Sequence, residues 1–163
     1  MASIDDFNAL PEEEATRRLH ACLANRGWAS RIASGRPYPD GMSLITAAWL
    51  ALNDLTDADW VAAFKAHPRI GERGGDAPEV SAREQSAAMR AGANTLAALA
   101  TENQRYEEKF GYVFLIRASG RSADEIRSEL RRRMSNDAAV EFAEARRELA
   151  QIAELRLGKL VSE

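Results

Sequence analysis

The side chains of this chain best placed for chemistry stand where helices should end. His67 lies in His67-Pro68-Arg69-Ile70-Gly71-Glu72. Proline disfavours the α conformation in the residue before it, so His67 is expected in extended backbone at a helix end, facing a glycine-rich stretch. Histidine titrates near neutral pH, and one held rigidly suits proton transfer. The structural alternative is a helix C-terminal histidine that only meets the last carbonyls. The chain has one other histidine, His20, on an expected surface helix, which leaves His67 the best general acid or base available.

Glu84 is the second candidate. It is the third residue after Ser81 in Ser81-Ala82-Arg83-Glu84, a capping-box pattern that gives its carboxylate a structural task at a helix start. If that helix start also lines a pocket, its free N–H groups could bind ligand oxygens while Glu84 holds a ligand N–H, with Gln85 adding a donor and an acceptor. The sequence leaves both readings open. Arg156 is the third. Phe142, Ala145, Leu149 and Ile152 recur at spacings of three and four, and Arg156 and Leu160 continue that stripe. A guanidinium on an apolar face needs an acidic partner or an anionic ligand, unless its stem carries it out to water. The fourth is the apolar run Tyr112-Val113-Phe114-Leu115-Ile116, followed by Arg117-Ala118-Ser119-Gly120. Non-helical backbone among helices must find partners for its N–H and C=O groups. Such a segment could hydrogen-bond a flat, amide-rich ligand edge-on, or simply cross the core.

The elements that must position these residues are helices. Ala, Leu, Arg and Glu dominate and β-branched residues are sparse. Pro11 followed by Glu12, Glu13 and Glu14 reads as a first turn, opening a helix to about Ala24 that stops before Gly27. Gly35, Pro37, Pro39 and Gly41 mark residues 34–41 as a loop, after which Ser43 opens an apolar helix through Leu52. Thr56 or Asp57 caps a helix carrying Trp60, Val61 and Phe64 and ending near His67. Residues 69–80 read as a long irregular loop. The Ser81 box then starts a helix that could continue, with room for a bend, to Lys109, and Gly111 stops it. Ser122-Ala123-Asp124-Glu125 is a second capping box, opening a helix to about Met134, and Asn136 or Asp137 caps the last helix. The expectation is an all-α, single-domain bundle of seven to eight helices over residues 1–163, with one short extended segment too brief to imply a sheet.

Composition excludes several classes. The formal charge is −3, from 22 Lys and Arg against 25 Asp and Glu, which offers no basic excess for a phosphate backbone and argues against nucleic acid as a partner. Arg131-Arg132-Arg133 is read as a solvated face answering nearby acids. No stretch approaches the roughly eighteen apolar residues of a membrane span. One cysteine, Cys22, makes no internal disulfide, and two histidines make a self-contained zinc site improbable. Trp28, Trp49 and Trp60 are assigned to the core. There is no phosphate-binding glycine loop, no Ser-His-Asp pattern and no Cys-His dyad near Cys22. The N-terminus lacks a signal-peptide pattern and Val161-Ser162-Glu163 is no peroxisomal signal, so a cytoplasmic location is expected.

In order along the chain, His67-Pro68-Arg69-Ile70-Gly71, Ser81-x-x-Glu84-Gln85, Phe110-Gly111 leading to Phe114-Leu115-Ile116-Arg117-Ala118, and Leu155-Arg156-Leu157 resemble OHCU decarboxylase. That family acts on 2-oxo-4-hydroxy-4-carboxy-5-ureidoimidazoline in urate breakdown. The resemblance runs from Phe7-Asn8 to Leu160. It implies an all-helical homodimer that needs neither metal nor organic cofactor and converts its ureidoimidazoline substrate to (S)-allantoin and CO2. It also implies His67 as the catalytic acid/base and Pro68 as pocket wall. Glu84 and Gln85, with Ser81 nearby, would grip the ureido and ring polar groups. The backbone of Phe114, Leu115, Ile116, Arg117 and Ala118 would bind the rest of the heterocycle, and Arg156 would support the charge balance. Two other readings compete: a non-catalytic helical interaction module, and a hydrolase of a neighbouring ureide such as 5-hydroxyisourate. The hydrolase is weakened because no further histidine or evident nucleophile is present to activate water.

Overall fold

Most helix starts follow local capping chemistry. The computed structural model describes residues 3–69 and 92–161 and places eight helices along them, with no strand among the described residues. They are α1 (Ile4–Ala9), α2 (Glu12–Cys22), α3 (Arg26–Ser34), α4 (Gly41–Leu52), α5 (Asp57–Lys65), α6 (Ala93–Phe110), α7 (Ala123–Met134) and α8 (Ala138–Leu160). The all-α expectation holds. The Ser122 box forms as read: the Ser122 hydroxyl accepts from the Glu125 N–H at 3.2 Å, and the Glu125 carboxylate accepts from the Ser122 N–H at 3.5 Å. Thr56 and Asp59 make the same reciprocal pair at 3.1 and 3.0 Å, which starts α5. Asp137 accepts from the Val140 N–H at 2.9 Å and starts α8.

Several boundaries differ from the sequence reading, among them the start of α6 at Ala93 after the extended Gly92, inside the helix read from Ser81 to Lys109. α4 begins at Gly41, because the Asp40 carboxylate, three residues before the expected start at Ser43, accepts from the Ser43 N–H at 2.8 Å. α2 stops at Cys22, and Gly27 lies inside the first turn of α3, where the Asn25 side chain caps the Trp28 N–H. The short α1 was not anticipated, although Ser3 and Asp6 form a full capping box.

By its contacts the chain divides into two compact units, Met1–Ala63 with Ala150–Glu163, and Phe64–Leu149. In the first, α2 packs on α3 and α3 on α4. Phe7, Leu19, Trp28, Ile32 and Leu44 are buried there, with Ile152, Ala153 and Leu157 of α8. The Trp28 indole N–H donates to the Ala48 carbonyl at 3.0 Å, so the ring is both packed and satisfied. Arg36 donates to the Ala33 carbonyl at 2.8 Å and to the Leu10 carbonyl at 2.7 Å, closing the ends of α3 and α1. Trp49 is corrected: it is 39% exposed on the outer face of α4, beside the exposed Leu50 and near Met42. The second unit packs α6 on α7. Its buried side chains include Phe64, Leu99, Tyr106, Phe114, Ile126, Leu130, Ala145 and Leu149.

Candidate active site

The second unit holds His67, Pro68 and the non-helical segment 112–118. α5 ends at Lys65, and the His67 N–H donates to the Phe64 carbonyl at 3.2 Å as the chain turns out of the helix. His67 and Pro68 are half-buried. Two contacts fix this corner from either side. Three residues before His67, the buried Phe64 ring lies 5.0 Å from Tyr112 and 5.6 Å from Phe142, centroid to centroid. Two residues after it, Arg69 makes a forked pair with Glu107 of α6, Nε to Oε2 at 2.6 Å and Nη2 to Oε1 at 2.8 Å. These contacts flank the His67-Pro68 corner on both sides.

Glu107 also ends α6, since its carbonyl accepts the Gly111 N–H at 2.8 Å. Gly111 has φ +83°, a left-handed conformation that suits glycine and turns the chain into the extended segment. Tyr112, Val113, Phe114, Leu115 and Ile116 are all buried. With no strand beside it among the described residues, this backbone needs side-chain partners. Arg133 of α7 supplies one. Its Nη1 donates to the Leu115 carbonyl at 2.6 Å, and its guanidinium carbon sits 4.5 Å above the centre of the Phe114 ring.

Arg133 is only 1% exposed, which corrects its assignment to a solvated face. Its neighbours do occupy such a face: Arg131 pairs with Glu102 at 3.2 Å, and Arg132 with Glu129 at 2.8 Å and Glu144 at 2.7 Å. The charge on Arg133 is answered by Glu141 of α8, itself fully buried, with Nη2 to Oε2 at 2.5 Å and Nε to Oε1 at 3.1 Å. The Tyr106 hydroxyl donates to the same carboxylate, and the Asn136 amide donates at 3.2 Å. Burial works against the charged guanidinium, yet hydrogen bonding to Glu141 holds its pKa above the ordinary arginine value. Burial, then the bond to Glu141, keeps the Tyr106 phenol protonated far above its usual range. The signal that could have found Arg133 is spacing, because Ile126, Leu130 and Arg133 form one buried stripe at intervals of four and three.

Arg156 belongs to the first unit. It is 8% exposed, so the guanidinium stays on the apolar stripe where the sequence placed it. Its Nη1 donates to the Ala21 carbonyl at 3.0 Å, in the last turn of α2, where carbonyls have no partner within the helix. Ser81, Glu84 and Gln85 lie outside the described residues, as does the start of the helix assigned to them.

The family model for OHCU decarboxylase matches residues 8–158. The uric acid degradation bifunctional protein TTL of Arabidopsis thaliana is 34% identical over 87% of this chain, and that match covers 46% of the plant protein. Like the Bacillus bifunctional proteins, each matched over 33% of its length, it is more than twice as long as the segment this chain spans. A relative of similar length, the 2-oxo-4-hydroxy-4-carboxy-5-ureidoimidazoline decarboxylase of Haloferax volcanii, is 31% identical over 98% of this chain and 96% of its own. Among solved structures, an OHCU decarboxylase crystallised in the presence of (S)-allantoin superposes with a TM-score of 0.80 at 33% identity, over 90% of this chain and 99% of that one. With the motifs falling in order inside a match of nearly full length, this chain belongs to the OHCU decarboxylase family.

Proposed function

We propose that the chain is a carboxy-lyase that converts 2-oxo-4-hydroxy-4-carboxy-5-ureidoimidazoline to (S)-allantoin and CO2, with His67 as its acid/base. The observation that carries this is the end-to-end match to a relative that bears the decarboxylase name. Because the match to the family runs from residue 8 to residue 158, it also supports treating residues 1–163 as one catalytic domain.

The chemistry asks little of a protein beyond placement. When the C–C bond to the carboxylate breaks and CO2 departs, the electron pair stays on the ring carbon and spreads into the substrate's own imidazolinone. No external electron sink is required. What remains is to orient the substrate, stabilise the enolate-like state and deliver one proton to one face. His67 takes the proton role, with Pro68 as pocket wall. Glu84, Gln85 and Ser81 are assigned to the ureido and ring polar groups, and the backbone of residues 114–118 to the rest of the ring. Arg156 is assigned to the charge balance. The exposed apolar face of α4, with Met42, Trp49 and Leu50, supports a homodimer. The single buried thiol of Cys22 suits a reducing, cytoplasmic setting.

The test generates the substrate in the cuvette from urate with urate oxidase and hydroxyisourate hydrolase, then follows circular dichroism after this protein is added. The expected result is rapid growth of the (S)-allantoin signal, absent with His67→Ala. Growth no faster than spontaneous decay overturns the proposal, and near-normal turnover by a folded His67→Ala removes His67 from the mechanism.

A further inference from the structure

Arg133 binds together three pieces of the second unit: the Leu115 carbonyl and Phe114 ring of the extended segment, and Glu141 of α8. Stability alone is a poor reason for such a pair. A fully buried ion pair can often be replaced by uncharged groups of similar volume without loss. The geometry points to a different use. One planar guanidinium carries five N–H donors in a fixed fork, so it can grip a carboxylate with Nε and Nη2 while Nη1 reaches a carbonyl on the other side. Lysine has no such fork. Glu141 is in turn immobilised, since the Tyr106 hydroxyl and the Asn136 amide occupy further acceptor sites on its oxygens. The rigid helices α6, α7 and α8 thus converge on one carbonyl of a segment that has no strand beside it among the described residues.

We infer that Arg133, held by Glu141, is a positioning residue that sets the backbone of residues 114–118 for substrate binding and for proton delivery to one face. This rests on the proposed function, in which that backbone binds the heterocycle.

The experiment compares wild type, the double variant Arg133→Met/Glu141→Gln, Arg133→Lys and Tyr106→Phe in the urate-coupled assay, reading kcat, KM and the optical purity of the allantoin. The double variant removes both buried charges together, so it keeps the fold and melts roughly 5 °C below wild type, well above Arg133→Met. Its kcat/KM is expected to fall by roughly a hundredfold, the scale of an ångström-sized misplacement, and the excess of (S)-allantoin to drop. Arg133→Lys keeps a cation for Glu141 but loses the fork, and it should show the same two defects in milder form. Tyr106→Phe leaves the ion pair whole and should lower optical purity least. Wild-type kcat/KM and optical purity in the folded double variant overturn the inference. So does a series in which melting temperature falls while both readouts stay unchanged. A wild-type chain that does not accelerate allantoin formation overturns the decarboxylase reading itself, and this inference with it.

Discussion

Removing one member of the Arg133–Glu141 pair should cost far more than removing both charges. In Arg133→Met the Glu141 carboxylate, fully buried, keeps only the Tyr106 hydroxyl and the Asn136 amide as hydrogen-bond partners and loses its counter-charge. Leaving a buried charge uncompensated costs about 3–5 kcal/mol. At roughly 2–4 °C per kcal/mol for a chain of this size, the melting temperature should drop by roughly 10 °C. In Arg133→Met/Glu141→Gln no charge is stranded. What is lost is chiefly the bond to the Leu115 carbonyl, a buried acceptor left unsatisfied at a cost of about 1–3 kcal/mol. The double variant should therefore be more stable than Arg133→Met by about 2 kcal/mol, and the two single effects should sum to far more than the effect of the double. The assay is urea unfolding followed by circular dichroism for wild type, both single variants and the double variant. Additive single effects, or a double variant less stable than Arg133→Met, would refute the reasoning.

Two further outcomes follow from single positions. Glu148 is half-buried, and burial raises its pKa despite the nearby charges of Arg133, Arg121 and Arg117. A raised carboxyl pKa disfavours the folded state as pH climbs above the ordinary value of 4.5, so Glu148→Gln should raise the urea midpoint at pH 7 and change it little below pH 4.5; a lower midpoint at pH 7 would contradict this. Gly111 has φ +83° and, among the described residues other than its chain neighbours, no atom within 4 Å of where a Cβ would stand, so Gly111→Ala isolates the backbone term. It should cost about 1 kcal/mol, a fall of roughly 2–4 °C in melting temperature, and a fall above 10 °C would show that the turn carries more than conformational preference.

How much of the fold could be read from the sequence depended on whether a boundary was set by local chemistry. Ser122 with Glu125, Thr56 with Asp59, and Gly111 after Phe110 are self-contained signals within four residues, and the structure uses all of them. Gly27 misled because it reads as a stop, whereas Asn25 caps the following turn and tolerates glycine within it. Asp40 was hidden inside a loop of glycines and prolines, so the cap was assigned to Ser43, whose N–H is in fact the group being capped. Trp49 failed for another reason. Hydrophobicity says that an indole is worth burying, but helix phase decides it, and Trp49 lies seven residues after Met42 on the outer face of α4. Of the candidate site residues, His67 and Arg156 were singled out because each broke a local rule, one at a proline-fixed helix end and the other on an apolar stripe.

Arg133 breaks the same rule as Arg156, yet the run of three arginines concealed it. Reading the run as a unit gave a solvated face; reading it by helical phase places Arg131 and Arg132 outward and Arg133 on the stripe of Ile126 and Leu130. The need for such a residue can be argued from the fold class. In a helix the backbone N–H and C=O groups are already spent on one another, so a polar heterocycle can be read by backbone only where the chain leaves the helix. That departure creates carbonyls with no ladder to hold them, inside a core where an unpaired acceptor is costly. A side chain from a neighbouring helix must answer, and if it is an arginine then a buried acid must answer the arginine. Gly111, the apolar run after it, Arg133, Glu141 and Tyr106 thus solve one problem step by step, and each step is explained by the one before it.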